Sequence, residues 1–386
     1  MAQGTRRLFI VITVGMAALA LGAGTIRPAP ARAATGTYVA LGDSYSAGAG
    51  VPPYLHDSPY PSDTDGCARS ASAWPETLGS DLGFSGTQFS FHACTSSVVA
   101  DLTRTNPATG EPPQESWLTS DTRLVTLTDG GNDVGFAQVL AACVLSWSCP
   151  ISVGSILDSK IAGIEPALAT AYEEIAKPVL GATIPPTIIV MGYPRFFPMT
   201  PPAFCYTGVG TFTFIGAQMS WMNGEIQKLD TQIQDAVTAA QQAGYKNVWY
   251  ATGSYDAFTG HELCTAQPDM NDAVPTNPFS LSNPVQTESF HPNLAGNEQL
   301  ARVAWLAEQA ATAVTVAVPN VVGLTATNAV SAIRSAGLVP IEVSSVDTTC
   351  NNIGYVIGQS PQAGARIATG SPVTITVAVK PPTPCP

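Results

Sequence analysis

Residues 37–50 read TYVALGDSYSAGAG, a short apolar run that stops abruptly in glycine, aspartate and serine. Those three residues favour turns, so the stretch alone is a strand entering a turn. The rest of the chain decides the fold. Further β-rich runs at 124–127, 187–191 and 247–250 alternate with stretches at 151–180, 217–243 and 295–314, where apolar residues recur at helical spacing. Strand–helix alternation predicts an α/β fold, a parallel sheet with helices on both faces. Such sheets take ligands at the carboxyl ends of their strands. Gly42-Asp43-Ser44 comes after the first run and Gly130-Gly131-Asn132-Asp133 after the second, so both fall on that edge.

Composition narrows the possibilities. The chain has 386 residues, 45% hydrophobic and 11% charged, enough for two globular domains rather than a disordered chain. The first 33 residues hold Arg6, Arg7, Arg27 and Arg32 but no acid. An apolar run over 8–24 and the small-residue site Ala31-Arg32-Ala33 complete the pattern of a secretory signal peptide. Thr5-Arg6-Arg7-Leu8-Phe9 also resembles a twin-arginine signal, which leaves the export route open. The expected product is secreted, extracellular or wall-associated, monomeric, and without a transmembrane span after cleavage. Its net charge is −12 and becomes more negative once those arginines are removed. That charge argues against nucleic acid and anionic lipid as partners.

Eight cysteines in an exported chain suggest disulfides. Cys143 and Cys149 enclose a short loop and are expected to bridge it, and Cys350 and Cys385, which share the C-terminal segment, are expected to pair there. Order along the chain then gives Cys67–Cys94 and Cys205–Cys264, although spacing alone fixes no pairing.

A serine nucleophile needs a base, a group that orients the base, and donors for the developing oxyanion. Ser44 lacks the G-x-S-x-G signature of one large hydrolase class. Of the four histidines, His56 lies in a Pro- and Tyr-rich loop and His92 in a strand-like stretch before Cys94. His261 opens His-Glu-Leu-Cys-Thr, which stops short of a zinc-binding H-E-x-x-H. No metal and no cofactor are expected. His291 stands in Glu288-Ser289-Phe290-His291-Pro292-Asn293, where a carboxylate three residues earlier can reach the imidazole.

Taken together, Gly42-Asp43-Ser44-Tyr45-Ser46, Gly130-Gly131-Asn132-Asp133 and Glu288-Ser289-Phe290-His291-Pro292 resemble three sequence blocks of the SGNH (GDSL-type) esterases and lipases, in their order. The similarity is strongest to the secreted bacterial lipases and phospholipases, which also carry three internal disulfides. The resemblance implies a three-layer, flavodoxin-like catalytic domain over 34–314. It implies Ser44 as nucleophile, His291 as general base and then acid, and Glu288 as its orienting carboxylate. The oxyanion donors would be the Ser44 backbone N–H, the Asn132 amide and a third backbone N–H. That third donor is usually a glycine; here the matching position is Ser96, with Ser97 as the alternative register. Some relatives orient the histidine with a backbone carbonyl instead of an acid. Asp43 and Asp133 are expected to hold their turns by hydrogen bonds.

From about residue 316 the character changes. Val318-Pro319-Asn320-Val321 leads into a helical stretch over 326–336, succeeded by Gln359-Ser360-Pro361-Gln362-Ala363-Gly364 and an apolar run over 373–379. This resembles a PASTA module, a small α+β (βαββ) domain of bacterial wall-associated proteins, placed over 315–380 with a tail, 381–386, carrying Cys385. The resemblance implies contact with peptidoglycan.

The implied reaction is hydrolysis of a lipid or fatty-acyl ester through an acyl-enzyme. A carbohydrate or peptidoglycan O-acetyl esterase, or an inactive wall-binding protein, remain as other readings. Tyr193-Pro194-Arg195-Phe196-Phe197-Pro198 is expected at an acyl site, with Arg195 able to meet a phosphate, and Val144-Leu145-Ser146-Trp147 at a lipid surface.

Overall fold

A computed structural model describes residues 36–55, 66–107, 109–146, 148–182, 184–208, 212–273, 288–313 and 315–382. The signal-peptide stretch, His56, Trp147 and Cys385 lie outside these residues.

The strands are β1 (Thr37–Ala40), β2 (Phe89–Phe91), β3 (Thr122–Thr128), β4 (Thr187–Met191), the hairpin pair β5 (Phe204–Thr207) and β6 (Phe212–Ile215), and β7 (Val248–Tyr250). The helices are α1 (Ser44–Ala47), α2 (Trp74–Leu82), α3 (Gly131–Val134), α4 (Phe136–Leu145), α5 (Cys149–Ala176), α6 (Gly216–Gln242) and α7 (Leu294–Thr312). Five strands form one parallel sheet in the order β2-β1-β3-β4-β7. Their central residues are apolar on both faces, as a sheet covered by helices on each side requires. Helix α5 packs on α6, and α2 on α7, which also lies against β4 and β7.

Sequence punctuation explains the boundaries. Helix α5 ends at Ala176, short of the predicted residue 180, because Lys177 precedes Pro178 and a residue before proline is pushed to extended backbone. Asn293 caps α7 by accepting from the Gly296 N–H at 3.0 Å. Buried Asn297 ties α7 to α2 by accepting from the Trp74 N–H. Helix α2 and the β5–β6 hairpin were not among the sequence expectations.

Strand order places the site. The chain leaves β1 for β2 on one side, then crosses to β3 on the other, so a topological switch point opens between β1 and β3. Ser44 begins the helical turn after β1 and Asn132 lies in the turn after β3.

Beyond residue 314 the chain forms β8 (Thr315–Ala317), α8 (Ala326–Ser335), β9 (Val339–Val346), β10 (Val356–Ser360), β11 (Arg366–Ala368) and β12 (Pro372–Val379). Strand β12 pairs antiparallel with β10 and parallel with β9, and β8 pairs with β11. Ala329 and Ile333 of α8 meet Val373, Ile375 and Val377 of β12 in a second hydrophobic core with its own members. Among the described residues the disulfides are Cys67–Cys94, Cys143–Cys149 and Cys205–Cys264. Cys350 is also disulfide-bonded.

Candidate active site

Gly42, the first residue of the Ser44 turn, has φ +113°, and a Cβ there would sit 2.5 Å from the Thr128 carbonyl oxygen. Only glycine fits so close to β3. The Gly42 N–H donates to Gln114 Oε1 at 2.6 Å, and Gln114 Nε2 returns a bond to the Gly42 carbonyl at 3.0 Å. The same Gln114 amide donates to Ser97 Oγ, so one buried glutamine joins the Ser44 turn to the loop of Ser96 and Ser97.

Asp43 is buried and caps α1. Its Oδ1 accepts from the Tyr45 N–H at 3.0 Å and from Thr128 Oγ1 at 2.6 Å, and its Oδ2 accepts from the Tyr193 hydroxyl. Burial pushes its pKa up to about 6, opposed by the donors from Thr128, Tyr193 and the backbone. The Tyr193 hydroxyl in turn accepts from the Gly131 N–H at 3.0 Å. A tyrosine at the end of β4 thus joins the Ser44 turn to the Asn132 turn.

Asn132 donates from Nδ2 to the Ser97 carbonyl at 2.8 Å, which leaves the second amide hydrogen for another acceptor. Asp133 accepts from the Val99 N–H at 3.0 Å and holds the neighbouring turn. Ser96 has φ +62°, a left-handed conformation that glycine adopts freely and serine rarely. That is the physical reason a glycine belongs at this position in the resembled pattern. The Ser97 N–H is spent on the Cys94 carbonyl at 3.1 Å. Among the described residues no hydrogen bond takes the Ser96 N–H.

His291 arrives from the loop before α7. Phe290 has φ +62°, and its ring is buried at 2% exposure, stacked near Phe196 and edge-on to Phe214. Burial of the ring offsets a backbone conformation that costs on the order of 1–3 kcal/mol. The Tyr45 hydroxyl donates to the Phe290 carbonyl at 2.7 Å, and Asn271 N–H to the His291 carbonyl at 2.8 Å. These contacts bring His291 Nε2 to 2.8 Å from Ser44 Oγ.

Nδ1 faces a backbone carbonyl, the alternative to the Glu288 carboxylate. The Ser289 carbonyl lies 3.1 Å from it, in the place given to the Glu288 carboxylate. Glu288 contributes its backbone carbonyl, which accepts from the His291 N–H at 3.2 Å. The tight turn over 288–291 aims a carbonyl at the ring, and a carbonyl needs no particular side chain to do so.

Ser44, Ser96, Asn132 and His291 line one cavity of about 310 Å³. Beside polar groups such as Asp43 and Thr95, the apolar side chains of Phe136, Leu140, Phe196, Ile226, Leu229 and Phe290 wall it. Tyr193 and Phe196 therefore reach the site, whereas Phe197 is core against Phe214. Arg195 does not face a ligand: it is buried and paired with Glu262 at 2.8 Å and with Asp256. Its expected role toward phosphate is withdrawn on that ground. Sequence reasoning missed Gln114, and it placed Tyr193 at the acyl site without its bonds to Asp43 and the Gly131 N–H, since such long-range contacts carry no spacing signature.

A model of the GDSL-like lipase/acylhydrolase family matches residues 40–299, and a PASTA domain model matches 316–379. Lipase 1 of Streptomyces coelicolor is 30% identical over 280 residues, covering 71% of this chain and 87% of that protein. A lipase of Streptomyces rimosus is 29% identical over 284 residues, covering 73% of this chain and 90% of that protein. Among solved structures, phospholipase A1 from Streptomyces albidoflavus is 27% identical with a TM-score of 0.54, covering 70% of this chain and 98% of that one. The extracellular lipase of Streptomyces rimosus is 26% identical with a TM-score of 0.52, covering 70% and 99%. With its parallel sheet in the SGNH-hydrolase arrangement and its C-terminal PASTA domain, the chain belongs to the GDSL-like lipase/acylhydrolase family of ester hydrolases.

Proposed function

We propose that the protein is a secreted serine hydrolase of fatty-acyl esters in lipids, phospholipids included, formed by a catalytic unit over 34–314 and a wall-facing unit over 315–380. The observation that carries this reading is the 2.8 Å contact of His291 Nε2 with Ser44 Oγ at a cavity walled in part by apolar side chains. Ser44 Oγ attacks the ester carbonyl while His291 takes its proton. The Ser289 carbonyl fixes the ring by accepting from Nδ1–H and stabilises the imidazolium. The Ser44 and Ser96 N–H groups and the Asn132 amide receive the oxyanion. His291 then protonates the leaving alkoxide, and water releases the acid by the reverse sequence.

Neighbours named lipase and phospholipase A1 support the lipid-ester reading. Among the described residues no helix is long and apolar enough to cross a membrane, which accords with export. The PASTA domain supports contact with peptidoglycan and favours a second reading, an esterase of wall O-acetyl groups.

A fluorophosphonate should label native protein on Ser44, read by peptide mass. Ser44→Ala should lose the label and more than about 10³-fold of turnover while its circular dichroism stays native. Retained turnover in that variant would sink the nucleophile assignment. A series of p-nitrophenyl esters separates the two substrate readings: activity rising with acyl length supports the lipid ester, and acetate-only activity supports the wall ester.

A further inference from the structure

We propose that the outer face of the β5–β6 hairpin and the adjoining α4–α5 turn form a docking face for a zwitterionic lipid surface, delivering acyl chains to the cavity. This rests on the lipid-ester reading above and adds where the lipid aggregate sits.

The exposed side chains motivate it. Residues 204–207 alternate exposed and buried, so Phe204 and Tyr206 share the outward face of the hairpin. They are 53% and 69% exposed, unusual for aromatic side chains of that size. Cys205 and Phe214 occupy the inward face, and Phe214 packs on Phe290 of the cavity wall. One side of the hairpin therefore backs the cavity while the other shows aromatic rings to solvent.

The second element leads to the same place. Ala137, Ala141 and Leu145 lie at successive four-residue steps along α4, a single stripe. The first two line the cavity and Leu145 is 47% exposed. Just beyond the Cys143–Cys149 bridge, Ile151 is 88% exposed. Gln218 holds this turn to the hairpin: its Nε2 donates to the Cys143 and Ser146 carbonyls, and its Oε1 accepts from the Ile215 N–H. Ile215 pairs directly with Phe204.

Charge then identifies the occupant. No Asp, Glu, Lys, Arg or His occurs from Phe196 to Gly224, nor from Val134 to Leu157. Two charge-free stretches meet at the cavity in a chain of net charge −12. An apolar patch bearing aromatic rings suits the level of lipid headgroups. With no cation in either stretch and the Asp272 carboxylate at the hairpin turn, bound to the Gly208 N–H, the face is not built for anionic lipid.

The test uses the full chain and the triple variant Ile151→Ser, Phe204→Ser, Tyr206→Ser, three exposed positions outside the catalytic machinery. Native protein should sediment with vesicles of ether-linked phosphatidylcholine, which it cannot hydrolyse. The variant's partition coefficient should fall roughly tenfold or more, since three apolar side chains no longer leave water. Its kcat/KM on monomeric p-nitrophenyl butyrate should stay within about twofold of native, as expected of surface changes. Equal sedimentation of variant and native protein overturns the proposal, as does tighter binding of native protein to phosphatidylglycerol vesicles. Native self-association that the variant abolishes, with vesicle binding unchanged, makes the face a self-association surface and also overturns it. If native protein sediments with phosphatidylcholine but never turns over the soluble ester, the docking face stands and the hydrolase reading fails.

Discussion

Ser44 and His291 approach each other from two regions built on different chemistry. The turn after β1 is held by a buried polar network in which Asp43, Gln114, Thr128 and Tyr193 each bond to the backbone or to one another. The loop before α7 is held by apolar packing, with the Phe290 ring set among Phe196 and Phe214, and by backbone bonds to Asn271. A polar network fixes direction and is costly when one member is lost. An aromatic clamp fixes position through area and is costly when volume is lost. The polar arm sets the proposed oxyanion donors, and the apolar arm carries the proposed base to Ser44. The two arms should therefore fail in different ways.

The largest effect should come from breaking the clamp. Phe290→Ala removes the buried ring that offsets a strained backbone, and should cost about 3–5 kcal/mol of stability. Thermal unfolding should show it as a large fall in Tm, with turnover lost in parallel as His291 loses its seat. Unchanged Tm would show that the backbone bonds alone hold the loop.

Breaking the polar arm should leave the fold and strike the rate. Asn132→Ala removes a neutral directional donor and should lower kcat by roughly 10²–10³ with KM little changed. A change confined to KM would place Asn132 in substrate binding instead. Tyr193→Phe is a finer cut at the same arm. It keeps the ring against Tyr45 but removes the hydroxyl shared by Asp43 and the Gly131 N–H. Loss of a hydrogen bond to a charged group suggests roughly a tenfold fall in kcat. A fall in Tm with kcat unchanged would make Tyr193 a packing residue only.

The two arms also differ in how far the sequence exposes them. Strand runs over 187–191 and their neighbours are apolar on both faces, so a parallel sheet and its functional edge can be read from pattern alone. Ser44, Asn132 and His291 stand in compact blocks with glycine or proline beside them, and a block keeps its meaning across a fold. The supporting residues lack this property. Gln114 is 72 residues from Gly42, and Tyr193 is 150 from Asp43, so their bonds exist only after the sheet brings β1, β3 and β4 together. Ser96 was legible only as an anomaly, and its positive φ gives the reason glycine suits the site.

Glu288 provides the smallest predicted effect and the sharpest test of how the base is oriented. Sequence places its carboxylate one turn before His291, but the acceptor beside Nδ1 is the Ser289 carbonyl at 3.1 Å. Both acceptors fix the same tautomer, so geometry at Nε2 cannot distinguish them; charge can. A carboxylate beside the imidazolium raises the histidine pKa, whereas a neutral carbonyl raises it far less. If Glu288 oriented the base, Glu288→Gln would lower that pKa, and the acid limb of kcat/KM, where activity is lost as the base is protonated, would move to lower pH. With the carbonyl as acceptor, the limb should stay in place and kcat should change by no more than about twofold. A pH–rate profile of this one variant against native protein, on a soluble ester, decides between them. A limb displaced downward would return the orienting role to the carboxylate and leave the Ser289 carbonyl as a bystander.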